Sequence, residues 1–213
     1  MPNNKNVNRA GYLRESFHYF HLRDTAGQEL DFHFHEFDKL VILLSGSVDY
    51  LVEEQRYALL PWSVLLVRHH AIHKAIIDRS LPYERIILYL DRRYFERAFP
   101  GAGLMDCFDQ ADRRRRHLLT AAEDQLSELR AAIAAYERAA DDNRVGAQTM
   151  RETLIIQLLI HVNRLHEAAP ERLDQRGDPK VRQVLSYINE HFRESMSVEA
   201  LAEQFYMSPY HLL

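Results

Sequence analysis

The chain has 213 residues, 46% of them hydrophobic and 27% charged, with a net charge of −4. That fits one large soluble domain, or a medium domain with a smaller attachment. It excludes a general polyanion-binding surface, so any nucleic-acid contact must be local. The single cysteine, Cys107, excludes an intramolecular disulfide, and the twelve histidines occur without the Cys/His spacing of a structural zinc site. The polar start "MPNNKNVNRAGYLRES" carries no signal-peptide pattern, and "LVILLSG", the longest apolar run, is too short for a bilayer. A cytoplasmic protein with no membrane partner is expected.

Residues 12 to 95 read as β structure. "FHYFHL", "FHFHEF", "KLVILLSGSVDYLVEEQRYAL", "SVLLVRHHAIHKAIID" and "YERIILYLD" are short β-branched and aromatic runs. Turn signals separate them at Ser45-Gly46, Pro61, Arg68 to Ala71 and Ser80-Leu81-Pro82. Short strands without intervening helices predict a mainly β sandwich or barrel, assigned to residues 1–110.

The period then changes. Leu119, Ala122, Leu126, Leu129, Ile133 and Tyr136 fall on one helical stripe, and "DDNRVG" breaks it. Met150, Leu154, Leu158, His161 and Leu165 form a second stripe, widened by Ile155 and Val162. Residues 111–168 are therefore expected to make an α-helical hairpin. Its surplus apolar width (Ile155, Ile160, Val162) offers a surface for a homodimer, beside the plainer expectation of intramolecular packing alone.

A polar linker follows over 169–179, with Pro and Gly in "HEAAPERLDQRGDPK". Residues 180–213 return to a helical pattern with Val181, Val184, Leu185, Ile188 and Phe192 on one stripe. Ser197 reads as the N-cap of a short helix, and Ser208-Pro209 as N-cap and first residue of another. A short helix, a three-residue turn and a new capped helix have the proportions of a helix-turn-helix, and equally of a generic helical hairpin.

Here "YINEHFRESMSVEALAEQFYMSPYHLL" resembles the start of the DNA-binding domain of the AraC/XylS family of bacterial transcription regulators, through Ser197, Val198, Leu201, Ala202, Ser208, Tyr210 and Leu212. The resemblance covers about the last 35 residues. It implies a transcription regulator, not an enzyme, with promoter DNA as partner and Ser208, Pro209, Tyr210 and His211 at the DNA-reading end of the recognition helix. The family domain continues through a linker helix and a second helix-turn-helix, which this sequence does not contain. From residue 174 onward four basic residues face six acidic ones, a weak footprint for DNA. The full-length protein is expected to bind DNA and this incomplete helix-turn-helix is not.

"DFHFHEFDK" carries the chemistry. Strand alternation puts His33, His35, Phe37 and Lys39 on one face, and His73 opens another strand that can reach the same interior. Three neutral imidazoles suit Zn²⁺, Fe²⁺, Ni²⁺ or Cu²⁺. They equally suit a pocket for a small-molecule effector. In that reading Lys39 and the histidines supply polar contacts, Arg85 and Tyr89 add to them, and Phe37 or Trp62 stacks on a sugar. The region resembles the cupin-like sensor domain of sugar-responsive members of the same family. Laid on the cupin motif H-x-H-x3-E-x6-G, it gives His33, His35 and Gly46, with Lys39 where the glutamate belongs. His73 stands at the last ligand position of the second motif. Because an ammonium cannot ligate a metal and repels one, no cofactor is expected to be required, and a pocket for a sugar or related metabolite is preferred. The rival is a metal-dependent cupin isomerase or oxygenase with His33, His35 and His73 as ligands.

Overall fold

The computed structural model describes residues 8–9, 11–24, 31–78, 80–168, 183–184, 187–188, 191 and 196–208. They belong to two compact units, residues 1–172 and 173–213. The first unit has the expected mainly β, cupin-like barrel followed by a helical hairpin.

Its strands are β1 (Asn8–Arg9), β2 (Phe17–Asp24), β3 (His33–Phe34), β4 (Asp38–Ser45), β5 (Val48–Val52), β6 (Gln55–Leu59), β7 (Val64–Val67), β8 (His73–Ile77), β9 (Tyr83–Leu90) and β10 (Leu118–Leu119). They form two five-stranded sheets, ordered β1-β3-β8-β5-β6 and β10-β7-β4-β9-β2. Among the described residues all pairings are antiparallel except β1 with β3.

The runs "LVIL" (Leu40–Leu43) and "VLLV" (Val64–Val67) are buried on both faces, so they are apolar at consecutive positions. One face of the second sheet (Val41, Leu43, Leu65, Val67, Tyr83) packs on Val48, Tyr50, Val52 and Leu59 of the first. The opposite face (Leu40, Ile42, Leu66, Ile86, Leu88, Leu90) packs under the helices, against Phe108, Leu129, Ile133, Ile155 and Val162. Gly46 closes the β4–β5 turn at φ +101°, and a Cβ there would lie 2.7 Å from the Pro82 carbonyl oxygen. Glycine is the residue that fits such a position.

The helices are α1 (Arg92–Ala98), α2 (Asp106–Arg113), α3 (Glu123–Ala140) and α4 (Ala147–Ala168). The sequence pattern did not reveal α1 and α2, which have seven and eight residues. At about two turns each, they are too short to show a stripe. The Asp91 carboxylate caps α1, accepting from the amides of Arg93 and Tyr94. Leu119 is not on the α3 stripe. It pairs with Val64 as the last strand of the second sheet, and α3 begins after Ala122. On α4 the inward face is Ile155, Leu158, Leu159, Val162 and Leu165. Ile155 and Val162, read as surplus width for a partner, are fully buried in the chain's own core. Met150 is 55% exposed and Ile160 38%.

In the second unit the described helix is Val198–Gln204. Ser197 caps it, its Oγ accepting from the Ala200 amide at 3.1 Å, and Leu201 and Ala202 are buried. Tyr206 follows in the turn with φ 53°. Ser208 is exposed. Pro209, Tyr210, His211 and Leu212, the whole of the expected linker at 169–179 and most of the helical stripe expected before Ser197 lie outside the described residues. Among the described residues no helix is long and apolar enough to cross a membrane.

Candidate functional site

The alternation in "HFHEFDK" survives the end of β3. His33, His35, Phe37 and Lys39 are 3–6% exposed, while Glu36 between them points outward to solvent. His73, fully buried, is the register partner of His33 across β3 and β8. Lys39 is the register partner of Tyr89 across β4 and β9. The two sheets thus bring His33, His35, Phe37, Lys39, His73 and Tyr89 into one interior cluster. Ring centroids are 4.3 Å apart for His33 and His73, 4.8 Å for His35 and His73, and 4.2 Å for Phe37 and Tyr89. His35 stacks on Phe37 at 4.6 Å.

Hydrogen bonds fix two of the imidazoles. Nδ1 of His33 donates to the Asp31 carbonyl at 2.7 Å, and Nδ1 of His73 to the Ala71 carbonyl at 2.9 Å. With Nδ1 carrying the proton, each Nε2 presents a lone pair. Nε2 of His73 faces Nζ of Lys39 at 3.5 Å. Nε2 of His33 has no hydrogen-bond partner among the described residues. Burial, with the positive charge of Lys39 adding to it, lowers the pKa of His33 and drives that of His73 well below the usual imidazole range. Burial and the nearby Arg85 bring Lys39 down to about 8. At neutral pH the interior therefore holds neutral imidazoles beside a charged ammonium.

Arg85 faces the same interior, four residues before Tyr89 on β9. Its Nη1 donates to the Asp24 carboxylate at 2.6 Å, and its guanidinium lies 4.3 Å from the Tyr83 ring centroid. Trp62 is not part of the cluster. It sits with φ 67° on the helix-facing side, where the Arg130 guanidinium covers its ring at 4.7 Å. Being next to the strand β7 in sequence did not decide which face it took.

Sequence reasoning missed Tyr50, whose ring lies 5.7 Å from Nζ of Lys39. The signal was available in "VDYLV", where Val48, Tyr50 and Val52 alternate inward. It also missed a polar network behind the cluster. Asp38, adjacent to Lys39 but on the opposite face, is fully buried and accepts from the His69 amide (2.7 Å), Nδ1 of His69 (3.0 Å) and Nε of Arg92 (2.9 Å). Burial raises its pKa, but the His69 hydrogen bonds and the Arg92 charge outweigh this and hold it below the usual carboxylate range. Arg92 continues to Asp109 at 3.0 Å, and Asp109 to Arg68 at the same distance. His69, in the turn signalled by Arg68 to Ala71, is thus a structural partner of Asp38.

The N-terminal segment lies on the cluster. β1 pairs in parallel with β3, Asn8 opposite His33. A Cβ on Gly11, at φ +76°, would meet Cζ of Phe37 at 3.2 Å and Nδ1 of His35 at 3.6 Å.

Comparison with known proteins found a family model, the AraC-like ligand binding domain, matching residues 18–159. The HTH-type transcriptional activator RhaS of Salmonella arizonae is 28% identical over 179 residues, 83% of this chain and 61% of that protein. RhaS of Salmonella schwarzengrund is 29% identical over the same shares. The chain spans about three fifths of the length of these relatives. Among solved structures, the AraC-like transcriptional activator CuxR aligns with a TM-score of 0.45 and 12% identity, over 83% of this chain and 59% of that one.

Proposed function

The chain belongs to the AraC-like ligand-binding domain family, and from that premise we propose that it is the sensing part of an AraC-type transcription regulator. A small-molecule effector, a sugar or related metabolite, enters the barrel and contacts His33, His35, Lys39, His73 and Tyr89. One observation carries this reading: the barrel interior gathers three imidazoles and an ammonium, and among the described residues leaves the His33 Nε2 lone pair unused. Buried polar groups are normally satisfied by the protein itself, so unspent capacity aimed inward marks a binding site.

Two features link occupancy to the rest of the molecule. An effector must part the His35–Phe37 stack, against which Gly11 rests, so the N-terminal segment moves with it. Lys39 is adjacent to Asp38, whose bonds reach α1 through Arg92 and, by way of Asp109, α2. A ligand that prefers one arrangement of these contacts shifts the population toward it. In the full-length protein the output is transcription, through a helix-turn-helix of which Val198–Gln204 is the first helix. The proposed homodimer uses Met150 and Ile160 on the outer face of α4.

His33, His35 and His73 would also be the ligands of a metal-dependent enzyme, and their ligand atoms lie within 4.8 Å of one another. The donor set does not fit a divalent cation, because Lys39 directs a positive charge at the His73 lone pair from 3.5 Å. The cluster therefore works without a metal, and the reading assigns it no chemical turnover. A thermal-shift screen of neutral sugars, polyols and sugar acids tests the sensor. A saturable rise in Tm with at least one compound is expected, and a panel without effect contradicts the sugar-sensing version.

A further inference from the structure

Lys39 is 6% exposed, and among the described residues no carboxylate pairs with its ammonium. Its neighbours are Nε2 of His73 and the face of the Tyr50 ring, neither of which neutralises a full positive charge. Arg85, the other interior cation, is already matched by Asp24 at 2.6 Å. Asp38 is adjacent in sequence but points to the opposite face, where His69 and Arg92 occupy it. A buried charge is costly unless it is paired, and here the protein leaves the pairing open. Beside it, the Nε2 lone pair of His33 accepts from a hydroxyl donor and finds none.

Resting on the sensor reading above, we propose that the effector is a hydroxylated monocarboxylate, a sugar acid rather than a neutral sugar, with its carboxylate paired to Lys39 and one hydroxyl donated to His33. One carboxylate matches the one interior cation among the described residues that lacks a counter-charge. A neutral sugar would fill the polar positions and leave the ammonium unpaired. A phosphate ester would bring a second negative charge with no second open cation.

Calorimetric titration of the chain with matched pairs decides this: glucose against gluconate and glucuronate, galactose against galacturonate, with glucose 6-phosphate as a third arm. Each binding acid is expected to bind at least about tenfold more tightly than its neutral partner, the scale of a charge-assisted contact. Lys39→Met should remove that preference while Lys39→Arg keeps it. Without ligand, Lys39→Met should melt no lower than the parent, since it removes a buried charge and keeps the side-chain length. If that variant fails to fold, the ratio of acid to neutral affinity in the parent protein still decides. Equal binding of neutral partners, tighter binding of the phosphate, or acid preference surviving Lys39→Met overturns the inference and leaves the sugar sensor standing. Absence of binding by every sugar and acid overturns the sensor reading, and this inference with it.

Discussion

Nζ of Lys39 and Nε2 of His73 stand 3.5 Å apart inside the barrel, the ammonium aimed at the imidazole's lone pair. In the cupin motif that this segment resembles, a glutamate occupies the position of Lys39. The exchange replaces a ligand of one charge with a repelling group of the other. Titration with Zn²⁺ or Ni²⁺ is therefore expected to give weak, sub-stoichiometric binding to the parent chain. Lys39→Glu should raise metal affinity by at least about tenfold, or 1.4 kcal/mol, because it removes the repulsion and adds a fourth donor. Tight stoichiometric metal in the parent protein contradicts this.

Asp38 is held by His69 and Arg92 with no exposure to solvent. Asp38→Ala leaves the His69 amide and Nε of Arg92 without their acceptor, while Arg92 keeps Asp109 and Glu96, and is expected to cost about 1–3 kcal/mol, the usual penalty for unsatisfied buried donors. Urea denaturation measures it. A loss below about 1 kcal/mol would mean that water reaches Arg92 and replaces the carboxylate.

The buried histidines and Asp38 make the fold acid-sensitive. His33, His73, His117 and His166 all have pKa values lowered mainly by burial, His166 to about 4, and Asp38 is lowered as well. A group whose folded pKa is depressed binds more protons when unfolded, so its stabilisation is present above the unfolded pKa and is lost as pH falls through the folded value. For the histidines the decline begins near about pH 6.5, and for His166 it runs to about 4. Each extra proton bound on unfolding gives a slope of about 1.4 kcal/mol per pH unit. His21 works in the opposite sense. Against some burial, Glu84 and Glu137 raise its pKa, so its contribution fades as pH rises. It is partly exposed and therefore screened. Denaturation midpoints should fall steadily from about pH 6.5 to about 5, and a flat profile contradicts the burial of the four histidines.

The hairpin separates core from association surface. Ile155→Ala should cost about 2–5 kcal/mol, as for other fully buried isoleucines. Paired Met150→Glu and Ile160→Glu substitutions on the outer face should leave stability within about 0.5 kcal/mol. They should also yield a monomer by light scattering where the parent chain is a dimer. A dimer that survives both places the interface elsewhere.

Much of the barrel was legible because strand alternation is a local rule. "HFHEFDK" placed four inward side chains correctly although only His33–Phe34 of the segment before β4 is regular strand. The same rule could not say that Leu118–Leu119 leaves the helical pattern to join β7, since a two-residue strand exists only through its distant partner. Nor could it tell that Trp62 faces the helices, or that His69 turns back on Asp38, because both depend on how the loop folds over the sheet. Tyr50 and Asp24 entered the site by register across neighbouring strands, and register is fixed by tertiary packing. On α4, apolar spacing marked a seam without saying whether the barrel or a second subunit covers it.

Calorimetric titration of the tightest-binding sugar or sugar acid into the parent chain, His33→Ala and Arg138→Ala tests most directly whether the barrel interior is the sensing site. His33 lies in the cluster, whereas Arg138 is an exposed residue of α3. Binding should be saturable and of 1:1 stoichiometry per chain, weakened by about tenfold or more in His33→Ala and unchanged in Arg138→Ala. Unaltered affinity in a folded His33→Ala variant would mean that the effector binds somewhere other than the histidine and lysine cluster.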